Sequence, residues 1–274
     1  MLLGYHTNSL QNHRLGDALR LLADHGYGAV AITPDTCHLD PFHGSAREIE
    51  ATAALLQQLS LQPVIETGAR YLLDAQHKHE PTLMTADPAG RARRLDYYRR
   101  AAAIGRDLGA RVLSFWTGID RAPDADSTAR MHDGIAATCE LVRAAGLVPA
   151  LEPEPGMAVA TVADWRAVRA ALGGDAPRLT LDVGHLYVED EGDPVALCAA
   201  CAADVEQVHL EDMRRGVHEH LVPGEGEVDF AGVLGALAGA GYDGPVCFEL
   251  SRSSHMAPAA VARCRELWRA AGRS

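Results

Sequence analysis

Eight short apolar runs recur along the chain: LLGYH (2–6), AVAIT (29–33), QPVIETG (62–68), RVLSFWTG (111–118), LVPALEPE (147–154), RLTLDVGH (178–185), VEQVHLED (205–212) and GPVCFELS (244–251). Their length and β-branched content predict strands. Between them lie amphipathic stretches such as SAREIEATAALLQQLS and RRLDYYRRAAAIGRDLG, and the last run is APAAVARCRELWRAAG. Gly26, Gly109, Gly146 and Gly241 stand just before a following strand, where a glycine stops a helix. Eight strands and eight helices in strict alternation imply parallel pairing. The fold expected is an α/β chain closed into a (β/α)8 TIM barrel, one domain over residues 1–274. An open doubly wound sheet would want a glycine-rich turn after its first strand, and GYHTNSL supplies none.

In a parallel barrel the strand ends build the site. Those ends carry His6, Glu66, Trp116, Glu152, Asp182 with His185, His209 and Glu249. Glu152, Asp182, His209 and Glu249 each interrupt an apolar run on four consecutive strands. A buried charge is costly unless paired or metal-bound. Three carboxylates and an imidazole without a cation among them call for one divalent ion, and the donor set suits Mn, Mg, Co or Zn alike. His6, Glu66 and Trp116 become candidate substrate contacts at the rim. The polar excursion DAQHKHEPTL (74–83) reads as a solvated loop, with a cap over the site by Lys78 and His79 as the alternative.

The composition narrows the partners. Apolar residues at 47% can fill a large core, and 37 acids against 25 bases give a net charge of −12, which disfavours nucleic acid. No apolar run reaches the roughly 20 residues of a membrane span, and no leader is evident in MLLGYHTNSL. Six scattered cysteines, with Cys198 and Cys201 on an alanine-rich helix, read as small buried residues of a reduced, cytoplasmic protein.

LEPEPG, LDVGH, VHLED, GEGEVDFAGVLGALAGAGYDG and PVCFEL occur in this order. The ordered set resembles the xylose-isomerase-like barrel superfamily, which holds sugar-phosphate isomerases and epimerases, ketose 3-epimerases, inosose dehydratases and apurinic-site endonucleases. The resemblance implies metal binding by Glu152, Asp182, His209 and Glu249, with both glutamates also moving protons. It makes His185 the second member of a D-x-x-H pair beside the substrate. Arg215, six residues after His209, is the implied substrate arginine, with Arg214 adjacent. His218 and His220 stand where the endonucleases carry a D-x-H zinc pair; here an H-x-H could hold a second metal or the substrate.

The expected activity is metal-dependent isomerisation or epimerisation of a sugar, keto-sugar or cyclitol, by proton transfer beside a carbonyl through a metal-stabilised enediolate. Glu152 and Glu249 serve as acid and base. A lyase, either a dehydratase or a 3-keto-glycoside eliminase, could use the same site. A zinc phosphodiester nuclease and a non-catalytic sugar-binding barrel are the remaining readings. The partner expected is a small sugar or cyclitol, and a homo-oligomer is compatible with the sequence.

Overall fold

The structure is a computed structural model that describes residues 1–68 and 70–273. Its first half runs β1 (Leu2–His6), α1 (Leu15–Asp24), β2 (Ala29–Ile32), α2 (Ala46–Leu59), β3 (Gln62–Glu66), α3 (Pro88–Leu108), β4 (Val112–Phe115) and α4 (Ser127–Ala144). The second half runs β5 (Val148–Leu151), α5 (Val162–Leu172), β6 (Arg178–Asp182), α6 (Val183–Val188), α7 (Pro194–Cys201) and β7 (Val205–Leu210). It then continues through β8 (Asp212–Arg214), β9 (Val217–Leu221), α8 (Phe230–Gly239), β10 (Pro245–Phe248) and α9 (Ala257–Ala270).

The barrel closes in the order β1-β10-β7-β6-β5-β4-β3-β2, with β8 and β9 forming a separate two-stranded ribbon. Every barrel pairing is parallel, including the β1–β10 seam. All eight strands fall within the apolar runs, and the four helix-ending glycines have φ between 75° and 85°.

Strict alternation fails in two places. Two helices, α6 and α7, fill the β6–β7 crossover. The segment after β7 first folds back as the antiparallel β8–β9 ribbon before α8. Helix α3 begins at Pro88 rather than Arg93, because Asp87 accepts from the Ala89 and Gly90 amides and Pro88 is pre-set for the first turn.

The core has two parts. Outward-facing Val30, Ile32, Ile65, Leu113, Phe115, Leu181, Val208 and Phe248 pack against helix residues such as Leu19, Leu56, Tyr97, Trp165 and Trp268. Each such burial is worth roughly 1.5–3 kcal/mol. Inside the barrel, Ala31, Val64, Val112, Ala150 and Cys247 form a small apolar layer. One pleat further along, the same inward face carries Glu66 after Val64, Glu152 after Ala150 and Glu249 after Cys247. The apolar plug thus supports a polar floor at the carboxyl ends of the strands.

Candidate active site

The floor is set by strand register. Asp182 pairs with His209 across β6–β7, and His209 pairs with Cys247 across β7–β10. Glu152 and Glu249 continue the ladder just beyond β5 and β10, their amides donating to Phe115 O at 2.9 Å and Leu210 O at 3.0 Å. One ligand atom from each of Glu152, Asp182, His209 and Glu249 lies within 4.8 Å of every other.

His209 presents Nδ1 to the group, 2.8 Å from Glu152 Oε1 and 3.6 Å from Glu249 Oε2. Burial opposes its positive charge, but Glu152, Glu249 and Asp182 outweigh burial and push its pKa up to about 10. An imidazolium can thus balance the carboxylates, and a divalent cation can replace it. Asp182 Oδ2 is buried with no hydrogen-bond partner among the described residues, as an oxygen meant for an ion would be. The donor set fits a hard or borderline divalent cation.

Several neighbours hold these ligands. Gln207, two residues before His209 on the same inner face, lies with Nε2 2.9 Å from His209 Nε2. If His209 binds a cation through Nδ1, its proton sits on Nε2, and the buried, unpartnered Gln207 Oε1 is there to accept it after rotation of the amide. Asn8 Nδ2 donates to Glu249 Oε1 at 2.8 Å, and Ser9 Oγ steadies Asn8 from behind at 2.9 Å. Glu211, two residues past His209, is fully buried with both oxygens unpartnered. Burial, together with the charges of Asp182 and Glu249, pushes its carboxyl well above the usual range and keeps it neutral.

Gln207, Asn8, Ser9 and Glu211 do not stand out in the sequence. The alternation Gln207, His209, Glu211 would have put them on one face. Asn8 lies in the short 3-10 turn Thr7–Leu10 after β1, where no periodicity speaks.

Above the floor opens a cavity of about 400 Å³. Of the four floor residues, Glu152 and Glu249 line it, while Asp182 and His209 lie beneath. Glu66 and Trp116 line it as expected. Glu66 accepts from Thr33 Oγ1 at 2.6 Å, and burial with the nearby Glu249 charge lifts its pKa to about 8. The H-x-H pair also lines it: His218 and His220 alternate along β9 with ring centroids 5.3 Å apart, and His220 Nδ1 donates to Glu249 O at 3.1 Å.

His185 stands behind the wall. It donates from Nδ1 to Pro153 O at 2.9 Å, which leaves Nε2 3.5 Å from Asp182 Oδ2 and 3.8 Å from Glu154 Oε2. With Glu154 and His218 it forms a second compact donor group. His6 is wholly buried, its ring edge-on to His209 at 4.2 Å and its Nδ1 3.8 Å from Glu249. Burial and the neighbouring His209 lower its pKa to about 3. It therefore backs the floor as a neutral ring and does not line the cavity.

Besides His6 and His185, which do not line the cavity as substrate contacts would, two further expectations are corrected. Arg215 is not a cavity residue. The tight β8–β9 turn pairs Arg214 with Val217 and throws Arg215 outward, where it meets Asp190 at 2.9 Å and stacks over Tyr187. Conversely, of the two readings of the 74–83 excursion the structure favours the cap over the plain solvated loop, since Lys78 and His79 line the cavity. Arg94 of α3, fully buried, donates to Pro81 O and His79 O and stacks over Trp116 at 4.8 Å, so the loop is tied to the wall.

A closed parallel barrel whose strand ends gather four residues able to hold a divalent ion beneath an open cavity defines the class of fold and site. The chain belongs to the xylose isomerase-like TIM barrel family, matching it over residues 19–270. It is 28% identical over 217 residues to the L-ribulose-5-phosphate 3-epimerase UlaE of Escherichia coli, covering 77% of this chain and 75% of that one. The fold is shared with D-allulose 3-epimerase from Methylomonas sp. in complex with D-allulose, at TM-score 0.78 and 20% identity over 98% and 96% of the two chains. It is also shared with the IolI protein with a bound zinc atom, at TM-score 0.79 and 18% identity over 99% and 98%.

Proposed function

We propose that this protein is a metal-dependent ketose epimerase or isomerase. The observation that carries the reading is the division of the floor. Glu152 and Glu249 face the cavity, while Asp182 and His209 lie under it. Two carboxylates that reach both an ion and a substrate suit proton removal at one carbon and proton return at the same or the next. The relatives named as 3-epimerases of L-ribulose 5-phosphate and of D-allulose support the same class.

One divalent ion, Mn, Mg, Co or Zn, held by Glu152, Asp182, His209 and Glu249, would supply Lewis-acid polarisation of a substrate carbonyl. The chain's own groups do the rest. Glu249 is fixed through Oε1 by Asn8. Burial works against its charge, but His6, His220 and His209 hold its carboxyl well below the usual range, so it stays ionised. Glu152, anchored through Oε1 to His209, stands as the partner acid or base. Glu66, His218 and Trp116 line the space where hydroxyls and carbon skeleton would lie. Glu154, His185 and His218 could orient a further hydroxyl or hold a second ion.

Glu152→Gln and Glu249→Gln keep the shape and remove the base. Each should lower turnover at least ~10²-fold on a ketose panel, with metal content measured in parallel. Wild-type turnover in D₂O should place deuterium beside the carbonyl. Full activity in either variant would falsify the two-glutamate reading, and an unsaturated product would move the reaction to elimination.

A further inference from the structure

The floor of the cavity is acidic, but its lip is not. Arg70 and Lys78 from the excursion after β3, and Arg252 just beyond β10, all line the mouth. In a chain of net charge −12 such a cluster needs a reason. Among the described residues neither Arg70 nor Lys78 has an ion-pair partner. Arg252 has only a long contact, 3.9 Å to Glu219, which Arg214 also approaches. Burial comes first, then Arg70, in holding the Lys78 ammonium below its ordinary pKa; Glu154 works against them and Arg252 adds to them, so Lys78 feels both arginines. Like charges gathered with no closer counter-charge than Glu154 and the long Glu219 contact are unfavourable unless an anion is to be placed between them.

We propose that Arg70, Lys78 and Arg252 clamp the terminal phosphate of the substrate, so that the ligand is a sugar phosphate lying with its polyhydroxy end on the acidic floor and its anionic end at the lip. The inference rests on reading the floor as a sugar site. Phosphate is preferred to carboxylate because three cations match a dianion, whereas one arginine already satisfies a carboxylate. The positions also fit the correction above. The cation expected from Arg215 comes instead from the two loops that flank the cavity. Arg94 gives the Lys78 loop its support through the His79 and Pro81 carbonyls.

The test uses binding, not turnover, on the Mn²⁺-loaded protein. Ribitol 5-phosphate, ribitol and ribonate lack a reactive ketone and can be titrated calorimetrically. Ribitol 5-phosphate should bind at least ~10-fold more tightly than ribitol, with the preference shrinking as salt rises. Lys78→Met and Arg70→Met should each remove most of that preference while keeping ribitol affinity within about twofold, because they touch only the lip. Arg252→Glu should abolish it. Equal binding of ribitol and its phosphate would overturn the clamp, as would retention of the preference in all three variants or a preference for ribonate. The outcome separates from the epimerase reading: phosphate-selective binding without turnover of any ketose leaves the clamp standing and sinks the chemistry. Turnover of neutral ketoses with no phosphate preference does the reverse.

Discussion

His209 shows how much a single position can carry. Its burial inside an otherwise apolar strand was visible in VEQVHLED, and so was its alignment with Asp182 and the two glutamates. Its support was not visible. Gln207 and Glu211 look like ordinary polar residues until strand alternation is applied to the whole run, and Arg215 looked like a substrate contact because spacing does not report where a tight turn points a side chain. The Nδ1–Nε2 division of labour leads to a prediction. Gln207→Met removes the acceptor for Nε2–H and should weaken metal binding by about 10- to 100-fold with the fold intact, as read by calorimetry and circular dichroism. A proton must leave His209 before Nδ1 can coordinate, and that proton is held with a pKa of about 10. Metal affinity should therefore rise with pH throughout the range below that value, each ion displacing a proton. Equal binding heats in two buffers of different ionisation enthalpy would contradict the displacement.

At the scale of elements, the strands were legible because each pairs a short apolar run with a glycine or polar boundary. The β8–β9 ribbon was not, because VHEHLVPGEGEVDF carries too little apolar alternation to separate strand from extended loop. Its consequence, that His218 and His220 share a face, follows from period two in either case. The junction of β6 and α6 is the tightest of these elements. Asp182 Oδ1 caps α6 by accepting from His185 N at 3.0 Å, and Gly184 lets Glu211 pass beneath the first turn. A Cβ at Gly184 would stand 1.9 Å from Glu211 Oε1 and 2.7 Å from Met213 Cε. Gly184→Ala should thus destabilise the fold by about 1–3 kcal/mol or more through overpacking, measured by urea denaturation. Adding Glu211→Ala should recover part of that loss, and strict additivity of the two substitutions would argue against the contact.

The whole molecule separates two tasks. The outer helix layer and the small apolar plug hold the barrel, while the polar floor rides on strand ends without contributing to that core. The class of fold was therefore legible from alternation alone, whereas the charge layout of the cavity was not. Two of the lip cations come from the excursion after β3 and the third from beyond β10, and only the closed barrel brings the two loops together. Removing the metal by chelation should leave the far-ultraviolet dichroism unchanged. Restoring it should raise unfolding stability by mass action, about 2.7 kcal/mol at a hundredfold excess over Kd. Loss of helical signal on chelation would make the ion a structural element instead.

The bond from Asn8 to Glu249 spans 241 residues of chain, and the β1–β10 seam lies beside it. Strand β1 is thus completed by β10, and so is the floor. During synthesis a nascent chain displays Glu152, Asp182 and His209 before Glu249 exists, and it has no closed barrel to bring them into register. On the proposed reading, metal uptake has to wait until β10 is in place. A ribosome-arrested chain ending before Pro245 should take up no more metal than an unfolded one, which protects the growing polypeptide from loading the wrong ion into a half-made site.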